Sequence, residues 1–119
     1  MNKYRNKKTE RYGHKFDSMA EADYYLIAKR YAEKNSLEMR MQEKFEIESK
    51  FKFNGKSYRA IVYKPDYTFY EDGELVKVVD VKGMQTKDFK LKAKLFVARY
   101  RIPLILAKKT RNGFIEEEF

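Results

Sequence analysis

Hydrophobic positions follow a helical period in the first third of the chain. From Ser18 onward, apolar side chains recur at spacings of three and four residues and form one stripe: Ala20, Tyr24, Ile27, Ala28 and Tyr31. Ser18 is a favourable N-cap, and Glu21, three residues later, completes a capping box. The pattern predicts a helix from Ser18 to about Asn35.

The period then changes to two residues, which is typical of strands. Hydrophobic and charged residues alternate from Phe45 to Phe53, and Asn54-Gly55 is typical of a two-residue hairpin turn. This turn predicts that Phe51 lies opposite Tyr58 and Ile47 opposite Val62, with all four side chains on one face. Pro65 interrupts the returning strand, which resumes from Asp66 to Tyr70.

The second half of the chain predicts a strand, a helix and another strand. Residues 71–74 form a turn, and a strand rich in Val runs from Leu75 to Lys82. Thr86 can cap a helix from about Lys87 to Tyr100, and a short buried strand follows at Leu104 to Ala107. The acidic C-terminal segment is either a hairpin return or a solvated tail. The predicted order is helix, three antiparallel strands, helix and strand, an α/β (α+β) fold with a mixed sheet flanked by helices.

Composition indicates a class of partner only through its charge. The 119 residues suit one domain, 1–119, whose first 15 or so residues are basic, with little periodicity, and are interpreted as an arm. Lys and Arg exceed Asp and Glu by nine, which indicates a polyanionic partner. The sequence has no apolar run of membrane-spanning length and no Trp, which favours nucleic acid over a membrane. We expect a cytoplasmic protein, because the N-terminus is not a signal peptide and cysteine is absent.

Two aspartates are predicted to lie side by side in the hairpin of the second and third strands. Pairing across the turn at Glu71 to Leu75 puts Tyr70 opposite Val76, and the same register puts Asp66 opposite Asp80. Adjacent carboxylates are unfavourable unless something neutralises them, and oxygen ligands without His or Cys suit Mg²⁺ or Mn²⁺. Lys82 is on the same face as Asp80 and adds a cation that can stabilise negative charge at a reacting phosphate. The spacing meets the needs of phosphodiester hydrolysis.

These residues carry a resemblance to a known superfamily. Pro65-Asp66 followed by Asp80-Val81-Lys82 resembles the motif of the PD-(D/E)XK nucleases, and residues 16–21 are similar to a stretch in TnsA-type endonucleases and small phage nucleases. Gln42, Gly83 and Thr86 are also similar to the phage family. The resemblance covers residues 3 to about 107. It implies a restriction-endonuclease-like core of order αβββαβ and a Mg²⁺- or Mn²⁺-dependent DNA endonuclease.

The resemblance also implies roles for individual residues. The catalytic set would be Glu21, Asp66, Asp80 and Lys82, and the metal would lie at Glu21, Asp66, Asp80 and Val81. Each member has a structural alternative: Glu21 can simply close the capping box, Asp66 can simply follow Pro at a strand start, and Asp80 with Lys82 can form an ion pair on a solvated face. Taken together, on a strand rich in Val, the charges favour the functional interpretation.

Other basic and polar residues are candidates for DNA contact. These are Lys3, Arg5, Lys7, Lys8 and Lys15 in the N-terminal segment, Gln42 before the first strand, and Lys87, Lys90 and Lys94 on one face of the second helix. A solvated surface explains the helical lysines equally simply. The small size of the chain favours a homodimer acting on branched DNA, similar to Holliday junction resolvases. General or partner-directed cleavage, and a noncatalytic DNA-binding module, remain alternatives.

Overall fold

The computed structural model describes residues 8–119 as a five-stranded mixed sheet with one helix on each face. Three two-stranded sheets accompany it. In chain order the elements are β1 (Thr9–Arg11), β2 (His14–Phe16), α1 (Met19–Lys34), β3 (Glu38–Met41), β4 (Phe45–Glu48), β5 (Phe51–Phe53), β6 (Lys56–Tyr58), β7 (Ile61–Tyr63), β8 (Tyr67–Glu71), β9 (Glu74–Val81), α2 (Lys87–Tyr100), β10 (Leu104–Thr110) and β11 (Gly113–Glu118).

Both predicted helices are present with the predicted caps. Ser18 caps α1 by accepting the Glu21 N–H, and Thr86 caps α2 by accepting the Phe89 N–H, which satisfies donors that a helix leaves unpaired at its start. The buried face of α1 differs slightly from the predicted stripe, because it includes Glu21 and Tyr25 and leaves Ile27 exposed.

The central sheet has the strand order β11-β10-β9-β8-β3. Strands β3, β8 and β9 are antiparallel neighbours, whereas β10 is parallel to β9 and is reached through α2. Strand β11 returns antiparallel beside β10, so the acidic C-terminal segment is a hairpin strand rather than a tail. The mixed α/β class predicted from the sequence is confirmed.

The sheet is covered on both sides. On one face, Tyr67, Phe69 and Val79 pack against α1. On the other face, Val78, Leu104 and Leu106 pack against α2 together with residues of β4 and β7. This two-sided burial explains why β8 and β9 contain continuous apolar stretches instead of a strict alternation.

The first strand of the central sheet is not the predicted one. Strand β3 fills this position, whereas the alternating stretch from Phe45 to Phe53 is divided between β4 and β5, which belong to two smaller sheets. The Asn54-Gly55 hairpin is confirmed, with Phe51 opposite Tyr58. The predicted pairing of Ile47 with Val62 is wrong: Val62 pairs with Glu46, and a bulge between Glu46 and Glu48 shifts the register.

The N-terminal segment is more ordered than an arm from Thr9 onward. Strands β1 and β2 form a hairpin that is held to α1 by an ion pair between Arg11 and Asp23, with Nη2 and Oδ1 2.7 Å apart. Tyr12, at the turn, stacks on Tyr25 of α1 with 5.1 Å between ring centroids. Within residues 8–119, neither helix combines the length and the apolar character required to span a membrane.

Candidate active site

Four elements bring polar side chains to one end of the central sheet. Glu21 lies in the first turn of α1, Gln42 follows β3, Asp66 precedes β8, and Asp80 lies near the end of β9. Because β3 and β9 both run antiparallel to β8, the ends of β3 and β9 meet the start of β8 at the same edge. There the side chains line an open cavity of about 250 Å³, together with Asp17, Ser18, Lys64, Val81 and Lys82.

The predicted juxtaposition of Asp66 and Asp80 is present in the structure. Tyr67 pairs with Val79, which is the register that places Asp66 opposite Asp80. Asp80 is buried, whereas Asp66 is partly exposed. The Asp66 Oδ2 atom accepts the Val81 N–H at 2.7 Å. Burial raises the pKa of Asp66 well above its ordinary range, and the nearby Asp80 and Glu21 raise it further.

Glu21 serves both as a capping residue and as a member of the cluster. Its carboxylate is buried. Its Oε1 accepts the Asp17 N–H at 3.0 Å, which is the backbone donor one residue before the N-cap Ser18. The other oxygen, Oε2, accepts a hydrogen bond from the Gln42 amide. Burial raises the pKa of Glu21. Glu21 therefore holds the backbone before α1 and belongs to the cluster, but it does not complete the predicted capping box, because its donor is the Asp17 N–H and not the Ser18 N–H.

Gln42 connects two carboxylates of the cluster. Its Nε2 donates both to Glu21 and to Asp66 Oδ1, the latter at 3.2 Å. Its Oε1 is buried and has no hydrogen-bond donor among the described residues. Contact between Gln42 and DNA stays a prediction, whereas its amide belongs to the carboxylate cluster.

Two lysines lie at the cavity in different surroundings. Lys82 Nζ is 3.8 Å from Asp80 Oδ1 and 4.8 Å from the centre of the Phe89 ring, so its ammonium group is next to the carboxylate pair. Lys64 Nζ lies 4.0 Å from Asp17 Oδ2 at the rim. Of these two lysines, only Lys82 is predicted from the sequence as a catalytic residue, and its ammonium group is the one that pairs with the carboxylate cluster.

The donor chemistry of the cluster fits a hard divalent cation. Glu21, Asp66 and Asp80 supply carboxylate oxygens, and the unpartnered Gln42 Oε1 is a fourth oxygen of the kind that Mg²⁺ and Mn²⁺ prefer. Among residues 8–119, however, no three acidic or imidazole side chains already form a ligand set. A cation shared by Glu21 and Asp66 would replace the Gln42 amide that now links them. The raised pKa of Asp66 reflects first its burial and then the charges of Asp80 and Glu21, and a cation would relieve the repulsion among these carboxylates.

The predicted DNA-contacting residues occupy several surfaces. Lys8 and Lys15 are exposed around the β1–β2 hairpin, and Lys87, Lys90 and Lys94 are exposed on α2. Lys90 also lines a groove of about 580 Å³, together with Lys82 and Lys108. Lys3, Arg5 and Lys7 lie outside the described residues.

Sequence reasoning misses the buried tyrosine that contacts Asp80. The Tyr63 hydroxyl donates to Asp80 Oδ2 at 2.6 Å, and its ring packs against Phe89 and Phe96. Burial and the charge of Asp80 raise the pKa of Tyr63, which keeps its hydroxyl protonated as a donor. A buried tyrosine needs a hydrogen-bond partner, but the sequence does not indicate which residue supplies it.

Replacing Tyr63 by Phe should destabilise the fold by about 1.5–3 kcal/mol, because Asp80 Oδ2 then loses a buried donor while the ring packing stays. Urea unfolding measures this difference. Tyr58→Phe is the matched control, since Tyr58 is on the exposed surface and has no such partner among the described residues. Equal stability of the two variants would contradict the role of the Tyr63 hydroxyl.

Comparison with known proteins places the chain in a family without assigning an activity. No curated protein and no solved structure shows significant similarity to it. A family model described as "Protein of unknown function (DUF1064)" matches residues 1–111, nearly the whole chain and all four residues of the predicted catalytic set. The chain therefore belongs to the DUF1064 family.

Proposed function

We propose that the protein is a metal-dependent DNA endonuclease that hydrolyses phosphodiester bonds. The observation that carries this proposal is the convergence of Asp66, Asp80 and Lys82 with Glu21 at one open cavity. Closely spaced, buried carboxylates cost stability, and arrangements of this kind cluster at functional sites. The helix and strand order through the central sheet, α1, β3, β8, β9, α2 and β10, supports the likeness to the PD-(D/E)XK nucleases.

Each side chain of the cluster can have a distinct role in hydrolysis. Asp66 and Asp80 would hold a Mg²⁺ or Mn²⁺ ion, with Glu21 and the Val81 backbone at its side. When bound, such an ion polarises a phosphoryl oxygen and lowers the pKa of coordinated water. Lys82 orients the attacking water or stabilises negative charge that develops on the phosphate. Tyr63 keeps the Asp80 carboxylate in place through its hydrogen bond.

The net charge of +9 supports nucleic acid as the polyanion. We extend the proposal to branched DNA and to a homodimer, because two-fold symmetry would match two symmetric cuts. Selectivity would then rest on the shape of the DNA.

One assay tests the activity directly. The protein is incubated with Mg²⁺ or Mn²⁺ and matched four-way junction, flap, nicked and linear DNA substrates. Cleavage that stops in excess chelator is expected. Equal activity in chelator would refute the metal-dependent mechanism, and binding without cleavage in either metal would leave only a noncatalytic DNA-binding module.

Light scattering of the free protein tests the homodimer. Competition between a four-way junction and a duplex of equal length tests the preference for branches. A monomer that cuts both DNAs equally would reduce the proposal to general cleavage.

The lysines of α2 should provide nonspecific affinity. Replacing Lys87, Lys90 and Lys94 together by Ala should weaken binding and lower the dependence of log Kd on log salt by about 0.9 for each phosphate that the protein no longer neutralises. Fluorescence anisotropy over a salt series measures this slope. An unchanged slope would show that these lysines form a solvated surface and do not contact phosphates.

A further inference from the structure

The hairpin of β5 and β6 exposes aromatic side chains that the core does not use. Every residue from 48 to 59 is exposed, and the two strands form a sheet with each other alone. Phe51, Phe53 and Tyr58 are 50%, 63% and 37% exposed, and none belongs to either core cluster. Exposed apolar surface of this kind marks a place of interaction.

The aromatic side chains share one face of the hairpin. Phe51 pairs with Tyr58, and Phe53 pairs with Lys56, so these four side chains point to the same side. The Phe51 and Tyr58 rings stack with their centroids 4.6 Å apart and an angle of 9° between their planes. Lys56 Nζ lies 5.3 Å from the Tyr58 ring centre. The result is a stacked pair of aromatic rings with a cation beside it, and Phe53 lies on the same face of the hairpin.

The charge of the hairpin favours a polyanionic partner. Residues 49–63 contain four basic side chains, Lys50, Lys52, Lys56 and Arg59, and no acidic one. Lys56 shares the face of the aromatic rings, whereas Lys52, which pairs with Ser57, points to the other face. Two such hairpins would repel each other, which opposes a contact with a second copy. Aromatic rings interleaved with basic residues are typical of surfaces that bind single-stranded nucleic acid, where bases stack on the rings and cations contact phosphates.

We propose that this hairpin binds an unpaired segment of DNA, with bases stacked on Phe53 and on the Phe51–Tyr58 pair. Unpaired bases are required because the faces of bases inside a duplex are already covered by their neighbours. The inference rests on the proposed function only for the identity of the polyanion as DNA. It adds a second contact region that is separate from the carboxylate cluster.

The segment that carries the hairpin begins and ends at the candidate active site. It leaves at Gln42 and returns at Asp66, and the Gln42 N–H donates to the Asp66 carbonyl at 3.2 Å. Phe53 is eleven residues from Gln42, a span of at most about 40 Å for extended chain. A DNA strand held at the tip can therefore continue into the cavity, so cleavage is expected close to an unpaired region.

A tryptophan at the tip reports base stacking directly, because the chain contains no other Trp. Phe53→Trp keeps an aromatic ring at the most exposed aromatic position of the hairpin. Its fluorescence is measured in excess chelator during titration with single-stranded oligothymidylate longer than about 16 nucleotides, the upper site size of comparable stacking surfaces. We expect strong quenching by the single strand and much weaker quenching by a duplex of equal length.

Binding by the unmodified ring is tested with Phe53→Leu and Phe53→Ala. Loss of one stacked base weakens single-strand binding by roughly 5- to 150-fold, and Leu should not restore it although it preserves apolar surface. Phe119→Leu is the matched control, since Phe119 is also exposed and lies at the C-terminus, outside the hairpin. Fluorescence anisotropy with a labelled single strand gives the Kd values.

Wild-type affinity in Phe53→Leu would overturn the proposal. Tryptophan emission that does not respond to the oligonucleotide would also overturn it. A response to protein concentration instead would indicate a second copy as the partner, and a response to anionic phospholipid vesicles would indicate a membrane. The outcome is independent of the nuclease proposal. Stacking without cleavage in either Mg²⁺ or Mn²⁺ supports the hairpin and refutes the nuclease, and cleavage with wild-type binding in Phe53→Leu does the reverse.

Discussion

Asp66→Asn should reduce Mg²⁺-dependent DNA cleavage by at least about 10³-fold, equivalent to the several kcal/mol that a metal ion supplies to a phosphoryl transition state. Asp66 faces Asp80 in the cluster and holds the Val81 N–H, so the substitution removes one anionic ligand at the centre of the proposed metal site. An asparagine oxygen can still accept the Val81 N–H, whereas the NH2 group in place of Oδ1 can no longer accept from Gln42 Nε2. Cleavage of a labelled substrate under single-turnover conditions measures the loss.

The fold of this variant should be at least as stable as the wild type in chelator at pH 7. The folded-state pKa of Asp66 is raised, so its contribution to stability is fully present below the unfolded pKa of about 4 and is lost as pH rises through the folded value. Asparagine stays neutral and avoids this loss. Thermal unfolding at pH 7 should therefore show no decrease in Tm.

Asp72→Asn provides the matched control for the activity. Asp72 lies in the turn between β8 and β9, is exposed, and has a positive φ of 50° that asparagine tolerates. Its cleavage rate should equal that of the wild type. Near-normal turnover in Asp66→Asn would show that the cluster is not the active site.

The sequence predicts local features of the fold accurately where one short segment determines them. Each cap, at Ser18 and at Thr86, depends on a side chain next to the backbone N–H that it accepts. The turn at Asn54-Gly55 depends on two residues that tolerate positive φ. The pairing of β8 with β9 is predicted correctly near Asp66, but only because a bulge compensates for an error at the turn. Tyr70 pairs with Leu75 instead of Val76, and a bulge between Phe69 and Tyr70 then restores the predicted register.

The assignment of strands to sheets could not be predicted from alternation alone. Strand β3 has only four residues, Glu38–Met41, and its two methionines give a weak pattern. The stronger alternation from Phe45 to Phe53 indicates strands correctly, yet Ile47 is buried while Phe51 and Phe53 are exposed. A two-residue hydrophobic period shows that side chains alternate between the two faces of a strand. It does not show which face is buried or which sheet the strand joins.

The carboxylate cluster could be predicted only in its charged members. Asp66, Asp80 and Lys82 lie on or next to β8 and β9, in the part of this pair where the predicted register holds. Tyr63 and Gln42 reach the cluster through tertiary packing, from β7 and from the end of β3, and no spacing in the sequence relates them to Asp80 or Glu21. Their roles depend on how the segment between β3 and β8 folds back on the sheet.

Lys82→Ala should decrease the rate of cleavage by about 10²- to 10³-fold with little change in DNA affinity. The Lys82 ammonium group lies beside Asp80, where it can stabilise charge that develops on the phosphate, and removal of one such group typically costs this factor in kcat. Because Lys82 is partly exposed, its removal leaves the core intact.

Lys64→Ala distinguishes this role from general attraction between a lysine and DNA. Lys64 lines the same cavity, but its ammonium group pairs with Asp17 at the rim and not with Asp80. Its removal should raise KM modestly and leave kcat within a few-fold of the wild type, because phosphate binding at a distance acts on substrate and transition state alike. Measuring kcat and KM for both variants separates the two effects. If Lys82→Ala changed only KM, Lys82 would be a binding residue and the proposed catalytic set would lose its cation.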